Sequence, residues 1–225
     1  MNFDNNNFIV PDIVLFEVLN KSLDFLRIDY ETYKSTPARS YLNQIFKSLN
    51  LGKYIMFDEA VSLISNNKES TPYVLKVSTA YDPQSSSRPQ IHISMPSESN
   101  SGDGIGMDEG YREELVIGDD SYKSIYTRRF AATYQLVITT DNKNSVLCLY
   151  HIIRAILISS QTYLETIGMQ NIKFGGSDLS LRPDIADRTF IRSLSVYVEY
   201  DTSVPEKFAS AICRNIRVNS IIKTE

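Results

Sequence analysis

The run from Tyr122 to Thr140 constrains the fold more than any other stretch of this chain. Phe130, Ala132, Tyr134, Leu136 and Ile138 fall on one side of it, and Arg129, Thr133, Gln135 and Thr139 on the other. A repeat of two residues is the signature of a strand with one face on a core. A long strand of this kind is not stable alone, because its backbone donors and acceptors need neighbouring strands. The chain must therefore build a sheet and cover one face of it.

The cover is legible on both sides of that strand. Pro11 suits a first helical turn, and Leu15, Val18, Leu19 and Leu26, flanked by Ile13 and Phe25, recur at helical spacing. A second helix is expected with Thr36 as cap, Pro37 at its first position, and Leu42, Ile45, Phe46 and Leu49 as its stripe, ending at Gly52. Asp58 can cap a short third helix carrying Val61 and Ile64. After Thr140, Asp141 or Asn142 opens a helix whose set Val146, Leu149, Ile153, Ile156, Leu157 and Leu164 is wide enough to lie on a sheet, and Gly168 closes it.

Shorter alternations supply the remaining strands. Tyr73, Leu75 and Val77 form one, and Ile91, Ile93 and Met95 another. Two more are expected near 171–174 and 189–200, the latter with Phe190, Leu194, Val196 and Val198 inward and Ser193, Ser195 and Glu199 outward. The fold class is thus α+β: helices packed on a mostly antiparallel sheet, with extra N-terminal helices, as a single domain over 1–225. Residues 97–121 have no core pattern and are expected to protrude as a loop or hairpin arm, and 202–225 form a C-terminal extension.

Charge divides unevenly along the chain. The first 120 residues hold 10 Lys and Arg against 18 Asp and Glu, and the rest hold 13 against 9, so the halves carry −8 and +4. A net charge of −4 does not suit a nucleic-acid binder, which needs clustered cations to displace counterions. The split permits head-to-tail contact between copies, acidic surface on basic surface, although charge alone is explained as well or better by both sets being solvated. The arm holds the acidic candidates Asp103, Asp108, Glu109, Glu113, Glu114, Asp119 and Asp120. Arg128, Arg129, Arg188 and Arg192 are the basic candidates for contact between subunits.

Catalytic and metal signatures are absent from the sequence. Two cysteines, Cys148 and Cys213, are read as free thiols in a reducing compartment, and the Asn-rich start has no secretory pattern. The longest apolar run, from Val146 to Ile158, is broken by Tyr150, His151 and Arg154, short of the roughly 20 residues of a membrane span. Gly102, Gly104 and Gly106 match neither a dinucleotide fingerprint nor a P-loop, and Ile105 and Met107 stand where a calcium loop needs oxygen ligands. Cys148 and His151 share a helix face but lack further metal ligands, and core packing is the better reading. Tyr126-Thr127-Arg128-Arg129 reads as strand with edge cations rather than a nucleic-acid platform. No cofactor, metal or enzymatic activity is expected.

The order of elements resembles the tail-terminator and head-to-tail joining (neck) proteins of tailed bacteriophages. The resemblance is carried by the run from Arg129 to Asp141, by Gly168-Met169-Gln170, and by the closing run from Arg192 to Asp201, about a third of the chain. It implies a subunit of a homo-oligomeric ring, six- or twelve-fold, contacting portal-side and tail-side virion proteins. Genomic DNA would pass through the ring without specific binding, and the protein would reside in the virion neck or tail after assembly in the host cytoplasm, with no membrane involved. The arm would then match the family's long hairpin or loop, which meets neighbouring subunits, the lumen or the adjoining ring. A different reading of the same residues is a monomeric adaptor or assembly factor that binds one protein partner through the acidic loop.

Overall fold

The long alternation is realised as one strand, and the rest of the sheet is built around it. A computed structural model describes residues 9–48, 56–65, 75–79, 89–100, 112–115, 122–178 and 189–205. In chain order these form α1 (Pro11–Thr32), a 3-10 turn (Pro37–Arg39), α2 (Tyr41–Ser48), α3 (Met56–Ser65), β1 (Lys76–Ser78), β2 (Gln90–Asn100), β3 (Arg112–Leu115), β4 (Tyr122–Thr140), α4 (Lys143–Thr166), β5 (Gln170–Asp178) and β6 (Phe190–Pro205).

The strands make one mixed sheet in the order β1-β2-β4-β6-β5, with β3 pairing β4 off that path. β1 runs parallel to β2, Val77 opposite Ile91, whereas β3 runs antiparallel to β4, Glu114 opposite Lys123. Ser94 donates to the Gln135 carbonyl and Thr139 to that of Gln90, at 3.5 Å each, so β2 and β4 are antiparallel. The chain is therefore of the α+β class with a mostly antiparallel sheet.

The chain divides into two compact units. The first contains, of the described residues, Ile9, 98–100, 112–115, 122–131 and 199–205; the second runs over 10–97 and 132–198. Strands β2, β4 and β6 each have residues in both.

Among the described residues, all the buried hydrophobic side chains except Tyr200 lie in the second unit. Ile91, Ile93, Ala132, Tyr134, Leu136, Ile138, Leu194, Val196 and Val198 are buried on alternate strand positions. From the helices come Leu15, Leu19, Leu42, Phe46, Ala60, Ile64, Leu149, Ile152, Ile153 and Leu157, all buried. α1 packs on α2, α3, α4 and β1, and α4 on α2, α3 and β5. Each fully buried Leu or Ile stabilises the fold by roughly 1.5–3 kcal/mol of transfer free energy. By length and composition α4 could cross a bilayer, but its apolar stripe is buried against the helices of this core.

The helix ends follow local chemistry. Asn142 caps α4, its side chain accepting from the Asn144 amide at 2.9 Å. At the other end Gly168 takes φ 103°, and Met169 N–H returns to the Leu164 carbonyl at 3.0 Å with both side chains fully buried.

In several places the structure differs from the local pattern. The helix expected from Pro37 is broken: Pro37–Arg39 is a 3-10 turn and α2 starts only at Tyr41. Ser40 closes the turn locally, accepting from the Asn43 amide at 3.3 Å and donating to the Pro37 carbonyl at 2.8 Å, while the buried Asp29 carboxylate holds the new start by accepting from the Tyr41 amide. Met95, inward by alternation, is exposed, as is all of β2 from Met95 to Asn100. Phe190, also expected inward, is 39% exposed, whereas Ser193, expected outward, is buried. Ser193 tolerates burial because its hydroxyl meets that of Ser177 on the neighbouring strand at 2.9 Å. Leu49 and Tyr73 lie outside the described residues.

Candidate functional site

Of the acidic candidates, Glu113 and Glu114 lie on β3, opposite Ser124 and Lys123 in the register with β4. Asp103, Asp108, Glu109, Asp119 and Asp120 lie outside the described residues, as does Arg188. Within the expected arm, 97–100 complete β2 and 112–115 form β3; of the C-terminal extension, 202–205 complete β6.

The basic candidates do not form one group. Arg128 is exposed. Arg129 on β4 grips Asp201 on β6 with both guanidinium edges, Nε at 2.9 Å and Nη2 at 3.4 Å. Both side chains are 41% exposed, so the pair fixes strand geometry more than it adds stability, an exposed ion pair contributing about 1 kcal/mol or less. One residue along each strand, Phe130 stacks on Tyr200 with centroids 6.0 Å apart, and the Tyr200 hydroxyl donates to Glu98 on β2. Among the described residues, an ion pair, a ring stack and a hydrogen bond thus link the segments of β2, β4 and β6 in the first unit.

Arg192 lies in the second unit, in a different setting. Its guanidinium stands 4.4 Å from the centre of the Tyr150 ring, close enough for a cation–π contact. Tyr150 is held in turn by β5, because a side chain at Gly176 would collide with the Tyr150 hydroxyl. Next to Tyr150, the His151 ring meets it edge-on at 5.4 Å, and His151 Nδ1 is buried without a hydrogen-bond partner. Burial lowers the His151 pKa, and the guanidiniums of Arg192 and Arg154 lower it further. The imidazole is thus neutral near pH 7. Exposed Arg154 sits one helical turn beyond His151, on the same face.

Sequence reading missed Arg154 as a member of this group. A signal was present: Arg154 is the sole charged residue between Lys143 and Glu165. An isolated cation in an otherwise apolar and polar helix stands out once the helix is placed.

The remaining polar groups close structural contacts. Ser145 donates to Glu59 between α4 and α3, and neighbouring Cys148 is fully buried. Burial, reinforced by the Glu59 charge, pushes the Cys148 thiol up to about 12, so it carries no thiolate for nucleophilic or metal chemistry at neutral pH. Ser78 and His92 meet at 3.0 Å across the β1-β2 pair, and Gln90 reaches the same hydroxyl at 3.4 Å. His92 is 5% exposed and its pKa is lowered by burial, so the imidazole is packed within the β1-β2 pair. Among the described residues no three His, Cys, Asp or Glu side chains are grouped to hold a metal ion.

The chain matches no protein-family model. No curated protein matches it either.

Proposed function

We propose that the chain is a structural virion protein of a tailed bacteriophage, a subunit of a head-tail connector (neck) or tail-terminator ring that surrounds the DNA channel and joins neighbouring rings. Its work on this reading is assembly, not catalysis. The observation that carries the reading is the length of the central strands: β2, β4 and β6 span 11, 19 and 16 residues, against about 5–6 for an ordinary strand. Each has residues in the helix-covered unit and in a second unit with its own cross-strand contacts. A ring subunit needs such a division, because one part must keep its fold while another meets neighbours.

Electrostatics supports the same reading. Closing a ring requires each copy to present two different patches, and halves of −8 and +4 provide opposite signs for them. An acidic surface repels phosphates, so DNA can pass without being held. The genome is then cargo and not a bound ligand, and the lasting partners are further copies and the portal-side and tail-side proteins.

Native mass measured across a concentration series, with electron microscopy of the same samples, tests the proposal. A closed six- or twelve-fold particle is the expected result. A chain that stays monomeric at every concentration and forms no ring on purified portal or tail complexes would overturn it in favour of a one-partner adaptor.

A further inference from the structure

α1 carries a row of side chains that the core does not use. Ile13, Glu17, Lys21 and Phe25 follow one another four residues apart, so they form a single ridge along the helix surface. All four are more than half exposed, whereas Leu15, Leu19, Leu23 and Leu26 on the opposite side of the helix are buried. The middle two are paired within the helix, Lys21 Nζ standing 2.9 Å from Glu17. The apolar end at Phe25 is broadened by its neighbours. Ile28, one turn further on, is at 61% the most exposed large hydrophobic side chain among the described residues, and the exposed Tyr41 ring of α2 meets Phe25 with centroids 5.4 Å apart. A lone exposed apolar side chain is ordinary on a protein surface; a ridge with apolar ends and an ion pair at its middle is a pattern.

The ridge complements its own reverse. From 13 to 25 it runs apolar, acidic, basic, apolar, and from 25 to 13 apolar, basic, acidic, apolar. Two copies of α1 laid antiparallel, about a two-fold axis level with position 19, therefore set each Glu17 opposite a Lys21 and each Ile13 opposite a Phe25. A parallel pairing would set like charges face to face. We infer that the ridge Ile13, Glu17, Lys21 and Phe25 of α1 docks antiparallel on the same ridge of a second copy of this chain. Because one patch serves both sides, the contact is isologous and closes on two copies. It is separate from the heterologous contact that a ring requires, and it does not depend on the ring reading. The apolar ends supply the burial, and the four central charges fix direction and register. A helix face about 18 Å long and about 10 Å wide is smaller than the roughly 800 Å² per partner of a standard interface, so the pair is weak and reversible.

The test is sedimentation equilibrium of the full-length chain over a concentration series reaching about 1 mM, the weak end of specific association. Wild type is compared with Glu17→Lys, with Lys21→Glu, with the exchange Glu17→Lys/Lys21→Glu, and with an equimolar mixture of the two single variants. Both positions are exposed, so folding should be untouched, and a urea midpoint that moves little checks this. Wild type should show a dimer component. Each single variant sets like charges opposite one another and should weaken that dimer about tenfold or more. The exchange keeps acid opposite base and should restore it, and so should the mixture, in which a ridge with two lysines meets a ridge with two glutamates. Phe25→Glu should remove the dimer component, because it takes away the apolar contact at both ends. A wild type that stays monomeric throughout overturns the inference. So does a dimer that the single variants leave unchanged, or one that neither the exchange nor the mixture restores.

Discussion

Asp29 shows how one side chain can decide where a helix begins. It lies on the buried face of α1, 8% exposed, and its carboxylate accepts from the Tyr41 amide at 2.6 Å, the first residue of α2. A carboxylate at a helix N-terminus satisfies an otherwise unpaired donor and meets the positive end of the helix dipole. Asp29→Ala leaves that donor unpaired and should cost about 1–2 kcal/mol, measured as a drop in the urea midpoint with unchanged slope. The histidines act on stability through pH. His92 and His151 both have pKa values below the ordinary 6.5, His92 through burial and His151 through burial and two guanidiniums. The unfolded chain therefore binds more protons than the folded one once pH falls below 6.5, so their stabilisation is complete above that value and is lost as pH drops toward the folded pKa values. The urea midpoint should decline as pH falls below 6.5, and His151→Gln should flatten part of that decline. A slope unchanged in both His151→Gln and His92→Gln would refute the assignment.

At the scale of elements, α4 and β5 meet through an aromatic ring on a backbone without side chains. A Cβ at Gly175 would stand 2.6 Å from Ser195 Oγ, and one at Gly176 would overlap the Tyr150 hydroxyl. Gly176→Ala should therefore push Tyr150 out of place and destabilise the chain by about 1–3 kcal/mol, the usual range for overpacking. Gly176→Ala combined with Tyr150→Phe should recover part of that loss, because the clash is with the hydroxyl; equal losses in the single and double variants would show that the cost lies in the backbone. The strands and helices that period and caps define were legible in the sequence, because the signal is local: the full extent of β4, a cap at Asp141 or Asn142, the Gly168 stop and the apolar stripe of α4 were all readable. Other features were not, because they depend on residues distant in the chain. The late start of α2 depends on Asp29 twelve positions away, the burial of Ser193 on Ser177 across a strand pair, and the exposure of Met95 on β2 running beyond its packed part. The basic candidates were legible as residue types only; that Arg129 is bound to Asp201 while Arg192 stands over the Tyr150 ring depends on how the elements pack.

For the whole molecule, the described buried residues concentrate in one of the two units. The buried residues of the helices and of the inner strand segments all fall within 10–97 and 132–198. Unfolding free energy scales with buried apolar surface, so this unit should carry most of the cooperative transition. Removing 101–110 takes away Asp103, Asp108 and Glu109 from a stretch whose sequence has no core pattern. The deletion should shift the thermal midpoint by no more than about 2–4 °C, while self-association, or capture by a neighbouring ring, falls. The two effects are independent on this argument, since fold stability draws on apolar burial and association on charge. A deletion variant that lost cooperative unfolding would place those ten residues in the core instead, and would return the long strands to the role of ordinary sheet.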